Sequence, residues 1–280
     1  MFLSIEEVDR FIKEDVPYID LTSVCLGICG QPGRITYFTR DDAVVCGTEE
    51  VGRIFDRLNI KTEKTTASGR SVSAGDELIS GTGRGDDINM AWKVGQNILE
   101  HCSGIATKTR WMVDAAKSAS EKVMILTTRK GFPGTKPLAI KAIMSGGAMP
   151  HRLGLSETVL IFRQHMDFIG GFEKLIEKIP GLKSECCEKK IMVETGGYDE
   201  AKKLCEAGVD GIQFDKVSAD VLKETVPGLK ASFPGVVFLA AGGINEKNVK
   251  QYAQTGVDGI VTTSLYNAKP LDIGVSIKPL

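Results

Sequence analysis

From Lys122 to Thr263 the chain repeats one pattern: a short apolar run, a turn, and an amphipathic stretch. The runs fall at 123–127, 159–162, 191–194, 211–215, 236–241 and 259–263, and the helical stretches between them include 170–179, 199–207, 219–226 and 246–254. Runs this short and this apolar are strands buried on both faces, so successive strands lie parallel and helices cover them. About six such units in about 150 residues fall short of the roughly 200 or more that a complete eight-fold barrel needs, which predicts an open, incomplete β/α barrel.

A barrel keeps its chemistry at the carboxyl ends of its strands. In chain order those ends carry Thr128, Arg129 and Lys130; Phe162 and Arg163; Glu194; Asp215; Ala241, Gly242 and Gly243; and Thr262, Thr263 and Ser264. After the first strand and the breakers Gly131, Pro133 and Gly134, the residues Leu138, Ile140, Ala142 and Ile143 recur at helical spacing. Gly146 and Gly147 stop that helix, and His151 and Arg152 follow in the next loop. Three cations and a histidine thus collect at one end of one strand-helix-strand unit, which suits an anion. Solvated loop charge is the plainer alternative, weakened because the charges stand at strand ends and not along helix faces.

Glu194 and Asp215 each close an apolar run. They are either caps of the following helices or carboxylates that share a divalent metal with an anionic substrate. The segment from Ala240 to Asn245, with Thr262, Thr263 and Ser264, has the make-up of a phosphate cradle formed by backbone N–H groups at helix starts. Of the three histidines, His151 is read as a ligand contact and His101 and His165 as structural.

The first hundred residues have a different texture. Ile5, Val8, Phe11 and Ile12 share one face of an amphipathic helix over 5–16. Alternation at 34–38 and 43–46 predicts antiparallel strands, followed by a helix over 49–58 and short strands with turns through 72–78. Gly81, Gly83 and Gly85 miss the dinucleotide-binding spacing and are read as a turn. Residues 87–118 are helical, with an interruption expected near Ser103 and Gly104.

The 35 basic and 36 acidic residues leave a net charge of −1. That balance supplies no broad positive field for nucleic acid or a membrane surface. No apolar run approaches the roughly 18 residues of a span, and the first residues lack a leader pattern, so a soluble, cytoplasmic protein is expected. The seven cysteines, irregularly spaced, are expected as free thiols in a reducing compartment.

On these residues the chain resembles the quinolinate phosphoribosyltransferase family, the carboxylating nicotinate-nucleotide pyrophosphorylases, and within it the ModD branch. The motifs Glu14-Asp15, Asp20-Leu21-Thr22, Ser103 to Thr107, Arg129-Lys130, Pro133-Gly134, His151 to Leu155, Glu194, Asp215, Gly242-Gly243-Ile244, Thr255 to Asp258 and Leu271-Asp272-Ile273 stand in the family's order along nearly the whole chain. The resemblance implies a type II phosphoribosyltransferase fold: an N-terminal α/β sandwich over 1–108, joined by the C-terminal tail 268–280, and an open TIM-like barrel over 109–267. It also implies a homodimer or higher homo-oligomer with a shared active site.

In such enzymes a pyridine acid attacks the anomeric carbon of phosphoribosyl pyrophosphate (PRPP), and pyrophosphate leaves with Mg²⁺. By the same resemblance Arg129, His151 and Arg152, with Thr128 beside them, form the pocket for the acid's carboxylates, which Arg110 enters from a neighbouring subunit. Lys130 meets the PRPP phosphates, Glu194 and Asp215 the ribose hydroxyls and Mg²⁺, and the loops at Ala241 to Gly243 and at Thr262 and Thr263 the 5′-phosphate. The chain departs from the family pattern at Gly131-Phe132, Ala148, Trp92-Lys93 and Thr263, and most pointedly at Phe162, where a lysine is usual. Two further readings stand beside transfer to quinolinate or a related aromatic acid. One is another phosphate-binding barrel enzyme; the other is a non-catalytic ModD-type protein linked to molybdenum transport.

Overall fold

Ser4 and Glu7 exchange side-chain-to-backbone hydrogen bonds, and this capping box starts helix α1 (Ile5–Asp15). The computed structural model describes residues 3–280. The chain divides into one unit made of residues up to 110 with 131–147 and 266–280, and another made of 111–130 and 148–265.

In the first unit α1 is followed by α2 (Leu21–Leu26), β1 (Pro32–Thr39), β2 (Ala43–Val44), α3 (Thr48–Arg57), β3 (Lys61–Thr65), β4 (Ser71–Val72), β5 (Glu77–Arg84) and the start of α4 (Gly85–Ala119). Two expectations fail here for one physical reason. The glycines read as a turn lie in β5 and at the first residue of α4, where they let neighbouring chain come close. A side chain at Gly81 would meet the Ile60 side chain and the Lys61 carbonyl at 2.9 Å and Phe55 at 3.0 Å.

The expected interruption of α4 is likewise absent, and the helix runs unbroken through Ser103 and Gly104. Buried Ser103 accepts from the Cys46 N–H at 2.9 Å and donates to its carbonyl at 3.1 Å. Gly104 leaves room for the Lys269 carbonyl, which an added Cβ would overlap. Small residues here serve close packing, not helix termination. Alanine propagates a helix better than glycine by about 1 kcal/mol, yet Gly104→Ala is expected to destabilise by about 1–3 kcal/mol through overpacking. A thermal melt checks this, and an unchanged or raised midpoint would contradict it.

The second unit begins with the end of α4 and β6 (Met124–Thr127). The chain then leaves it to form α5 (Lys136–Ser145), whose Leu138 and Ala142 join the hydrophobic core of the first unit. This differs from the sequence boundary, which assigns that helix to the barrel. Next come β7 (Met149–Pro150), β8 (Val159–Ile161), α6 (Arg163–Phe168), α7 (Phe172–Glu185), β9 (Ile191–Thr195), α8 (Tyr198–Glu206), β10 (Gly211–Asp215), α9 (Ala219–Ser232), β11 (Val237–Ala241), α10 (Val249–Ala253) and β12 (Gly259–Thr262).

These strands form one parallel sheet in the order β7-β6-β12-β11-β10-β9-β8. First and last strands are paired, as closure requires, but β7 and β8 are not, so the half-barrel opens between two strands that follow each other in sequence. Pro150 helps to explain the opening: it has no N–H to donate, which confines a two-residue strand to an edge. Leu126, Leu160, Met192, Leu239 and Val261, from five different strands, pack together as an apolar core.

The chain ends as β13 (Ile273–Pro279), antiparallel to β1 from Thr39↔Ile273 to Gly33↔Pro279, which completes the first unit's sheet β13-β1-β5-β3. The fold class is the expected one: an N-terminal α/β unit and an open, curled β/α half-barrel. No helix among the described residues is long and apolar enough to cross a membrane.

Candidate active site

A cleft of about 690 Å³ lies at the carboxyl ends of the parallel strands, within the range of small-molecule sites. Thr128, Arg129 and Lys130 line it from the end of β6, and His151 and Arg152 from the loop that crosses the β7–β8 opening. Phe162 follows β8, Glu194 lies near the end of β9 and Asp215 ends β10, while Ala241, Gly242 and Gly243 and then Thr262 and Thr263 complete it. Of the residues singled out in the sequence, Arg110 and the strand-end Arg163 do not line the cleft. The Arg110 guanidinium donates to the carbonyls of Gly146 at 3.1 Å and Ser145 at 3.5 Å.

Neither carboxylate is a helix cap: α8 has Gly197 at its N-cap with no side-chain bond, and α9 is capped by Ser218. Glu194 instead accepts from Gln213 Nε2 at 2.8 Å. Burial, aided by the nearby Asp215 charge, holds the Glu194 carboxyl above its usual range, against the lowering effects of the Gln213 hydrogen bond and of Lys130 and Lys216. A carboxylate disfavoured in this way gains from an added cation.

On the basic side, burial and then the Arg152 charge hold the His151 imidazole below its ordinary value, which favours the uncharged, hydrogen-bonding form. Arg152 is buried, with 8% of its surface exposed, and its guanidinium lies 5.8 Å from the centre of the Phe162 ring. That ring stacks on His165 at 5.6 Å, and His165 Nδ1 accepts from the Phe162 N–H at 3.0 Å. Phe162 is therefore held as a wall of the cleft. Arg163 turns elsewhere, 3.7 Å from Asp167 and 3.9 Å from Glu200.

The two loops of the expected phosphate cradle are built differently from a pair of helix starts. Gly242 and Gly243 both have positive φ, 87° and 73°, and α10 begins only at Val249. Thr262 Oγ1 donates to the Ile244 carbonyl at 2.7 Å and accepts from the Ser264 N–H at 3.0 Å, which ties the loops together. Thr128 and Thr263 share a hydroxyl hydrogen bond of 2.9 Å, which joins the cradle to the basic end of β6.

Two family models match the chain: the quinolinate phosphoribosyl transferase N-terminal domain over residues 20–103 and the C-terminal domain over 105–276. The chain belongs to this family. It is 37% identical to the ModD protein of Rhodobacter capsulatus over 88% of this chain and 94% of that one. It is 32% identical to the ModD protein of Pasteurella multocida, with 99% of each chain covered. Among solved structures, the nicotinate-nucleotide pyrophosphorylase of Ehrlichia chaffeensis superposes with a TM-score of 0.89 at 27% identity, over 99% of this chain and 100% of that one. Membership in the family supports phosphoribosyl transfer of the nicotinate-nucleotide pyrophosphorylase class.

Other residues, not at the strand ends named from the sequence, also line the cleft, among them Gln164, Gln213 and Lys216. Gln213 could have been found, since it lies two residues before Asp215 on the same strand face. Its Oε1 is buried without a hydrogen-bond partner while its amide nitrogen holds Glu194.

Proposed function

We propose that the chain transfers the phosphoribosyl group of PRPP to the ring of an aromatic acid and releases pyrophosphate. What carries the reading is the gathering of Arg129, Lys130 and Arg152 with Glu194 and Asp215 in one cleft beside two glycine- and hydroxyl-rich loops. As the bond from the anomeric carbon to pyrophosphate breaks, positive charge develops on the ribose and negative charge on the leaving group. Carboxylates suit the first and cations the second. Arg129, His151 and Arg152 hold the acid's carboxylate, Lys130 the diphosphate, and Glu194 and Asp215 the ribose hydroxyls.

Among the described residues no three His, Cys, Asp or Glu side chains are grouped to enclose a metal. Two carboxylates suit Mg²⁺, which keeps waters and takes further oxygens from substrate phosphates. Glu194 and Asp215 would hold it, and it would supply neutralisation of the leaving pyrophosphate. In this reading the protein is a homodimer, with Arg110 offered to the pocket of a second copy. The exposed apolar stretch Tyr18, Ile19, Leu21, Val24 and Leu26 supports such an association.

PRPP with Mg²⁺ is expected to raise the melting temperature; at 100 times the dissociation constant the gain is about 2.7 kcal/mol. Metal needs ionised Glu194, whose carboxyl titrates above the ordinary range. The Mg²⁺-dependent part of the gain is therefore expected to be complete above that raised value and to fade as pH falls through it. Melts at several pH values check both points, and a midpoint indifferent to PRPP with Mg²⁺ would contradict the reading.

A further inference from the structure

Among the described residues two that are not glycine have positive φ: Asn59 at 56° and Lys216 at 58°. Asn59 follows the C-cap of α3, where a left-handed asparagine is ordinary. Lys216 follows the last residue of β10, and a lysine in this conformation is disfavoured by its Cβ. Strain of this kind gathers where surrounding structure and function require a side chain in one place.

The Lys216 N–H donates to the Ala241 carbonyl at 2.9 Å. An added Cβ at Gly242 would lie 2.6 Å from Lys216 N, from Lys216 Cγ and from Asp215 Oδ1. The missing side chain of Gly242 is therefore what lets the lysine stem lie against the glycine turn. The side chain lines the cleft, is exposed to solvent, and forms neither a hydrogen bond nor an ion pair among the described residues. The two loops it adjoins, Ala241 to Asn245 and Thr262 to Ser264, hold backbone amides and hydroxyls but no cation of their own. A phosphate monoester carries about −1.5 to −2 charge at neutral pH. Hydroxyls and amides alone leave most of that charge unopposed.

We propose that Lys216 binds the phosphate monoester received by the Gly242-Gly243 and Thr262 to Ser264 loops, which in the reaction proposed above is the sugar 5′-phosphate. The ligand's identity rests on that reading; the charge contact does not. Lys130, at the end of β6, is then left to the diphosphate.

Calorimetric titration of the whole protein with ribose 5-phosphate and with inorganic pyrophosphate tests this, on wild type, Lys216→Asn and Lys216→Arg. Asparagine tolerates the left-handed conformation, so Lys216→Asn removes the charge without disturbing the turn, and its melting temperature should not fall. Its affinity for ribose 5-phosphate should drop by about 10- to 100-fold, the range of one charge-assisted contact. Pyrophosphate affinity should stay unchanged, and Lys216→Arg should recover most of the loss. Unaltered ribose 5-phosphate affinity in Lys216→Asn, an equal loss for pyrophosphate, or no binding of ribose 5-phosphate by wild type would each overturn the proposal. Normal PRPP turnover with an unchanged PRPP KM in Lys216→Asn would sink it and leave the transferase reading intact. Lys216-dependent ribose 5-phosphate binding without turnover of PRPP would do the reverse.

Discussion

Glu194→Gln and Asp215→Asn are each expected to lower kcat by about 10²- to 10³-fold, the loss that follows removal of one preorganised group from a developing charge. Folding should be spared. Neither side chain caps a helix, and the Glu194 contact to Gln213 is between side chains that a glutamine can still pair. The sign of the Glu194 shift makes a second distinction. Its folded-state pKa lies above the unfolded value, so its contribution to stability is present below the unfolded pKa and is lost as pH rises through the folded one. At neutral pH the ionised side chain is thus a burden to the fold, and Glu194→Gln should melt at or above the wild-type temperature. A carboxylate kept for structure would show the opposite: a lower midpoint and normal turnover.

Phe162→Lys is expected to raise kcat/KM for quinolinate by about tenfold or more, or about 1.4 kcal/mol. Quinolinate carries two carboxylates, and each charge-assisted contact contributes about 1.5–3 kcal/mol. In this cleft buried Arg152 faces the Phe162 ring, and that ring is fixed by His165. Arg163, the next cation along the chain, is engaged by Asp167 and Glu200 and does not line the cleft. One wall is thus apolar and flat, which suits an acceptor with fewer anionic groups or a larger apolar surface than quinolinate. Steady-state kinetics on both proteins with quinolinate and with monocarboxylic heteroaromatic acids would show it. High wild-type efficiency with quinolinate, unimproved by the lysine, would contradict this account of the acceptor.

The sequence made the half-barrel legible because its strands are apolar throughout and its helices are amphipathic, two patterns with different periods. Strand ends are then readable directly, and Glu194, Asp215 and the cations of β6 fall together at one end of the sheet. What escaped lacks a period. β7 is two residues long, Met149 and Pro150, so neither the seventh strand nor the opening beside it shows in the pattern. Gly81 and Gly104 signal breaks in a single sequence, whereas here they answer to chain segments far along the sequence that press against them. Lys216 looks like an ordinary loop cation, and only its backbone conformation sets it apart. Only the family resemblance singles out Arg110, since nothing in its own helix distinguishes it from a solvated arginine.

Pyrophosphate release tests the central claim most directly, measured with PRPP, Mg²⁺ and a panel of pyridine and other heteroaromatic acids. At least one acid should be ribosylated as pyrophosphate appears in equal amount, omission of Mg²⁺ should abolish the signal, and Glu194→Gln should lower it at least about 100-fold. If no acid in the panel releases pyrophosphate from PRPP with Mg²⁺ present, or if Glu194→Gln releases it as fast as wild type, the assignment of this cleft to phosphoribosyl transfer is contradicted.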